Sequence, residues 1–439
     1  MLTVRDWRKV YGLFDPMQKL EGSTLRFFVP RDPAQIDKVA TEFRFAARPL
    51  HALLVGQRGT GKSSELRYLA ELLKDDFLAV IIDVDELADL FNVNHVEVLY
   101  LIGTSVFAAA GIAGKALDAK LLTDLYASIQ TLVRSNTEDK KFEVPVKEIL
   151  ASIAGEVAAA AVGGLAGAVL VSAAKIFKDL KFNLGVSDQV VRKMEVKPQI
   201  SEIARCLNHV IQAAEKALDR KLLVIVDGLD RVDIAQGRQI FAESQVLDQP
   251  ECHLIYVIPA HLYYSPYLNQ AKQIFTRVFP LANVKLHARD GTRADPGHRI
   301  MEAVVDRRLD AAGLARAAVF DPDALEQLVD MSGGMMREFV RLVQSAVVNA
   351  SSTAGPVGKA HAQAAIDALR RDYMAGVTPA LLEELFHVLD KQLPSGSELG
   401  NVALQNHYIV TQTNADIWYE VHPVIASTVN AEWLMRRGP

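Results

Sequence analysis

One stretch constrains the fold of this chain more than any other: His51-Ala-Leu-Leu-Val-Gly-Gln-Arg-Gly-Thr-Gly-Lys-Ser-Ser64. An apolar run that reads as a buried strand ends in Gly56, and Gly56-x-x-x-x-Gly61-Lys62-Ser63 completes the P-loop pattern. Glu65-Leu-Arg-Tyr-Leu-Ala-Glu-Leu-Leu73 follows with helical spacing. Strand, glycine loop and helix in this order predict an α/β domain built on a parallel sheet. Glycines let the loop curl so that the N–H groups of Gln57, Arg58, Gly59, Thr60, Gly61 and Lys62 face a polyphosphate. The positive end of the next helix, which carries Ser63 and Ser64, points at the same charge. Lys62 reaches the β- and γ-phosphates and the Ser63 hydroxyl ligates Mg²⁺, so ATP and Mg²⁺ are the expected cofactors.

A P-loop needs a second strand that ends in an acid. Lys221-Leu-Leu-Val-Ile-Val-Asp-Gly-Leu-Asp-Arg231 fits, with five apolar residues leading to Asp227. Its carboxylate is expected at the C-terminal edge of the sheet, where open α/β sheets bind ligands, and there it would hold Mg²⁺ with Ser63. Gly228 follows where many such ATPases carry a glutamate, and Asp230 is the nearby carboxylate placed to substitute. Two readings stay open: Asp230 is the general base, or hydrolysis is slow and the protein is a nucleotide-controlled switch.

Further elements follow in order. His253-Leu-Ile-Tyr-Val-Ile-Pro259 reads as the next buried strand, and Arg277 precedes a short last one within Val278–Leu286. Arg277 reads first as a solvated arginine; the sharper alternative sends it to a neighbouring subunit's γ-phosphate. Upstream, Arg26-Phe-Phe-Val-Pro-Arg31 precedes the P-loop strand. Beyond residue 290 the chain turns helical: Asp321-Pro322 opens one helix, Ser332-Gly333-Gly334 breaks it, and the next begins at Met335 with Arg337 in its first turn.

Gly56-x4-Gly-Lys-Ser63, Val226-Asp-Gly-Leu-Asp-Arg231 and Ser332-Gly-Gly-x-x-Arg337 together resemble a P-loop ATPase of the AAA+ or STAND type, close to origin-recognition ATPases and to the KAP group. The resemblance covers residues 25–350. It implies that Lys62, Ser63 and Asp227 bind Mg-ATP, that Arg31 lies where relatives contact the adenine, and that Arg337 is the lid's sensor arginine. Two departures, Gly228 and the apolar Ile258-Pro259 where a polar sensor is usual, argue against fast hydrolysis. Relatives in bacterial conflict or signalling supply an expected role by analogy alone.

The chain from Lys62 to Asp227 is more than twice what a minimal domain of this type needs, which predicts a mainly helical insertion at about 92–216. Within it, 157–174 carries no charge, and Gly163 and Gly167 have close-packing spacing. A single membrane crossing here would put the two halves of one active site on opposite sides of a bilayer. KAP relatives carry spans in even numbers, and this chain shows one. A buried or self-associating helix is the favoured reading; a membrane-inserting element and a small-residue linker are the others.

Helices followed by His407-Tyr-Ile-Val-Thr-Gln and Asp416-Ile-Trp-Tyr-Glu-Val421 around a turn resemble a winged helix. No Lys or Arg lies between Lys391 and Arg436, so the module has nothing to neutralise phosphates, and protein interaction or autoinhibition is expected rather than DNA loading. The net charge of −5 gives no global pull toward nucleic acid or acidic membranes. Cys206 and Cys252 form no C-x-x-C pair, and no signal-peptide pattern opens the chain, so a cytoplasmic protein is expected. The expected architecture is an N-terminal segment (1–24), a P-loop ATPase domain (25–290), a helical lid (291–372) and a small winged-helix-like domain (373–439). An unidentified protein partner or a homo-oligomer is expected to read the nucleotide state.

Overall fold

The computed structural model describes residues 2–84, 93–136, 151, 154–155, 197–353, 355–413 and 417–437. The segment 157–174, to which the sequence assigns the uncharged helix, lies outside them. The chain divides into two compact units, one of residues 37–55 and 69–279, the other of 1–36, 56–68 and 280–439.

The first unit is built on a five-stranded sheet of β1 (His51–Val55), β2 (Phe77–Asp83), β3 (Lys221–Asp227), β4 (His253–Ile258) and β5 (Arg277–Pro280), in the order β2-β3-β4-β1-β5. The pairs β1/β4, β2/β3 and β3/β4 are parallel. Strands covered on both faces need continuous apolar runs, and β1, β3 and β4 supply them. β2 is not among the strands expected from the sequence. It pairs with β3 so that Asp83 stands in register with Asp227.

Between β2 and β3 the described chain includes the helices His95–Ile112, Ala119–Asn136 and Lys197–Leu218, which pack on one another. Asn94 opens the first by accepting from the N–H groups of Val96 and Glu97, and the Glu97 carboxylate accepts from the Asn94 N–H in return. Gly103 lets the helices close, since a Cβ there would sit 2.4 Å from Leu125 and 3.1 Å from Leu207. By length and composition His95–Ile112 could cross a membrane, but 89% of it is buried in the core, which explains its apolar circumference.

The second unit is helical around residues 295–375, with Pro322–Met331, Met336–Ala350 and Lys359–Ala375 packed together. The N-terminal helix Val4–Leu13 lies on Asp295–Ala312 and Met336–Ala350. Buried Arg308 ties it down by donating to the Leu13 carbonyl at 3.1 Å. Beyond residue 378, Pro379–Lys391, Glu398–Gln405 and Pro423–Arg437 surround an antiparallel ribbon of β6 (Ile409–Thr413) and β7 (Ile417–Val421). Trp418, Tyr419 and His422 of the ribbon region are buried.

Candidate nucleotide site

In the sheet unit, Asp227 ends β3 and the Gly228 N–H donates to its Oδ1 at 2.9 Å. Gly228 has φ +92°, a left-handed conformation that glycine adopts without a Cβ penalty, and the turn carries Asp230 within Leu229–Arg231. β1, the strand that leads into the glycine loop, and β3 flank β4 in parallel, so Val55 and Asp227 end at the same edge of one sheet. Asp83 joins that edge from β2 and is buried. Asp83 is not among the site residues expected from the sequence, although Phe77-Leu-Ala-Val-Ile-Ile-Asp83 has the same signature as β3, an apolar run ending in an acid. Arg277 is half exposed, and its Nε donates to the Glu42 carboxylate at 2.8 Å. His261, just past β4, is another polar group not expected from the sequence: it is buried, Nε2 has no hydrogen-bond partner among the described residues, and burial pulls its pKa down to about 4.

In the other unit the glycine loop is built largely by tying back its carbonyls. Lys62 Nζ donates to the Gly56 carbonyl at 2.8 Å and to that of Gln57 at 3.0 Å. The Arg337 N–H donates to the Gly59 carbonyl at 2.9 Å. The Arg31 guanidinium donates to the Thr60 carbonyl, and the Glu65 N–H reaches that of Gly61 at 3.0 Å. In a planar trans peptide the next N–H points the opposite way, so anchoring carbonyls on one side aims N–H groups to the other. Glycine is needed at each close approach. A Cβ at Gly56 would lie 2.6 Å from the Leu281 carbonyl oxygen, and one at Gly59 would lie 2.9 Å from Arg337 Cβ. Such a loop suits an anion, and the residue types around it fit a Mg-nucleotide: Lys62, Ser63, Ser64, Arg58 and Arg337, with the helix Lys62–Leu72 behind them.

The same unit brings Arg31, Arg337 and the loop together, which the sequence motifs suggest only by their order. Gln57 is the unexpected member. Its side chain is buried, and its amide is saturated by four hydrogen bonds. Nε2 donates to the carbonyls of Leu404 (3.2 Å) and Ile409 (2.7 Å), while Oε1 accepts from the Thr411 N–H (2.8 Å) and Asn283 Nδ2 (2.9 Å). Asn283 Nδ2 also donates to the Thr411 carbonyl at 3.1 Å. The two amides together cover the edge of β6 as a strand would. His407, just before β6, adds an electrostatic signature: burial first, then His422 and the positive charges of Arg58, Lys62 and Arg337, press its pKa to about 3. No signal in the sequence links residues so far apart.

A parallel sheet with β1 running into Gly-x4-Gly-Lys-Ser and β3 ending in Asp227 defines a P-loop NTPase. The family described as the KAP family P-loop domain matches residues 36–251, so this part of the chain is similar to that domain. Among solved structures, the Aeropyrum pernix ORC1 protein in complex with DNA is similar over 94% of this chain and 97% of that one, at 12% identity and a TM-score of 0.41. A RuvB variant of Thermotoga maritima is similar over 50% of this chain and 80% of that one, at 13% identity and a TM-score of 0.26. No curated protein sequence matches the chain.

Proposed function

We propose that this P-loop NTPase is a Mg-ATP-dependent switch, in which the nucleotide state of the glycine loop sets the docking of the C-terminal ribbon and thereby assembly with itself or with a protein partner. The observation that carries this reading is Gln57: a residue of the phosphate loop spends its whole side-chain amide on β6, on the Leu404 carbonyl before it and on Asn283. A loop wired in this way cannot reshape around phosphates without the ribbon registering it. In this reading Lys62, Ser63, Ser64 and the N–H groups of 57–62 hold the phosphates, and Ser63 and Asp227 hold Mg²⁺. Asp230 orients water and Arg337 meets the γ-phosphate. Bound Mg-ATP supplies the phosphoanhydride whose cleavage resets the switch; with Gly228 in place of an acid, that reset is slow. Arg277 remains the candidate for contact in trans once Glu42 releases it. The ribbon and its helices act as a winged-helix-like protein-interaction module, because no Lys or Arg lies between Lys391 and Arg436 to meet a nucleic acid backbone.

The test is size-exclusion chromatography with light scattering on wild type and Lys62→Ala, with and without Mg-ATP, with phosphate release counted in the same samples. Growth in mass that needs both Mg-ATP and Lys62 is the expected result. A monomer that turns over ATP without changing mass sinks the assembly reading, and a wild type that does not bind Mg-ATP sinks the switch altogether.

A further inference from the structure

Arg31 is an expensive residue to bury. Its side chain is 10% exposed, and the charge next to it, Glu65 Oε2 at 3.7 Å from Nε, is equally buried. Burial pushes the guanidinium below its ordinary pKa and pushes the Glu65 carboxyl up, each partly offset by the other's charge. A guanidinium kept in such surroundings must be paired and hydrogen-bonded. Its two Nη atoms are committed to main-chain carbonyls: Nη1 donates to Ala282 at 2.5 Å and Nη2 to Thr60. One of these carbonyls belongs to the phosphate loop itself.

That carbonyl is one whose direction the loop's own sequence leaves open. Gly61 has φ +99°, and glycine takes the corresponding negative φ about as readily. Turning the Thr60–Gly61 peptide over therefore meets little local resistance. It would exchange an N–H for a carbonyl on the face that receives phosphate, and a carbonyl dipole there repels the anion. Arg31 is the group that selects between the two orientations. A Cβ at Gly61 would lie 3.0 Å from Arg31 Nη2, so the clamp also needs glycine at that position.

We infer that Arg31 is a positioning residue of the phosphate loop, holding the Thr60 carbonyl back so that the Gly61 N–H faces the bound phosphate. This rests on the reading of the loop as a nucleotide site. The experiment is isothermal titration of the full chain with Mg-ATP and Mg-GTP for wild type, Arg31→Lys, Arg31→Met and Lys62→Ala, with thermal melts recorded without nucleotide. Binding by wild type and its loss in Lys62→Ala test the nucleotide reading by itself. Given both, Arg31→Met weakens Mg-ATP roughly 10- to 100-fold, the range for losing one charge-assisted bond to a buried group. Arg31→Lys recovers part of the loss, since one ammonium lacks the planar fork that spans both carbonyls. The ATP-to-GTP preference stays that of wild type in both variants. Wild-type affinity in the Arg31 variants overturns the proposal, and so does a changed ATP-to-GTP preference, which would make Arg31 a contact to the base. If Arg31→Met does not fold, Arg31→Lys decides alone: it keeps a charge beside Glu65, and affinity within twofold of wild type refutes the clamp.

Discussion

Replacing Gln57 by leucine keeps most of the side chain's volume and removes its amide. Two main-chain groups then lose their partner, the Ile409 carbonyl and the Thr411 N–H, both on buried residues, while the Leu404 carbonyl still accepts from the His407 N–H. Asn283 Nδ2 retains the Thr411 carbonyl. Each buried group left unsatisfied costs about 1–3 kcal/mol, so two give about 2–6 kcal/mol at the ribbon edge, and about 3 kcal/mol lies in the lower half of that range. The cost is local, because the ribbon can let water in at β6 before the helical core yields. A change of about 3 kcal/mol corresponds to roughly a hundredfold in an opening equilibrium. The assay is amide hydrogen exchange. The Thr411 N–H is the natural reporter, since it donates to Gln57 itself, and its exchange in Gln57→Leu is expected to rise roughly a hundredfold while the sheet strands stay protected. Protection at Thr411 within about threefold of wild type would refute the claim that the phosphate loop holds the ribbon.

Two further outcomes follow from the same unit. Gly334 has φ +76°, and a Cβ there would fall 1.9 Å from the Val284 carbonyl oxygen, so Gly334→Ala combines backbone strain with a hard clash. It should cost about 2 kcal/mol or more and weaken Mg-ATP binding by shifting the start of the Arg337 helix; a variant with unchanged melting temperature and affinity contradicts this. His287 contacts Glu420 of β7 at 3.3 Å, and that hydrogen bond raises its pKa from 6.5 to about 9. The folded form thus holds the proton more tightly than the unfolded chain. The stabilisation is complete below pH 6.5 and disappears as the pH rises through about 9. His287→Asn should remove this slope from the pH dependence of β7 exchange protection, and equal slopes in both proteins would rule the linkage out.

Much of the architecture was legible because its signals are local. Apolar runs that stop at Gly56, Asp227 and Pro259 mark β1, β3 and β4, and the Ser332-Gly-Gly break marks where the helix Pro322–Met331 stops and Met336–Ala350 begins. β2 carries the same signal and could have been read from Phe77–Asp83; what the run does not reveal is its place beside β3, which puts Asp83 next to Asp227. His95–Ile112 shows the limit of hydropathy. Its uniform apolar surface looks alike whether the surroundings are lipid or other helices, and only its packing distinguishes them.

By itself the sequence determined that this stretch is a phosphate loop, since Gly59 and Gly61 permit the positive φ it uses and the reach of Lys62 is a consequence of contiguous residues. What the loop is attached to was decided only in three dimensions. Arg31 comes from 29 residues before Thr60, Asn283 from 226 beyond Gln57, and Thr411 from 354 beyond it. The physical reason is the accounting of buried polar groups. A buried carbonyl or side-chain amide must find a partner, but its own sequence does not say which distant group the fold will bring to it. Gln57 is thus one letter among four variable positions in the motif, and in the folded chain it is the point where the loop meets the C-terminal ribbon.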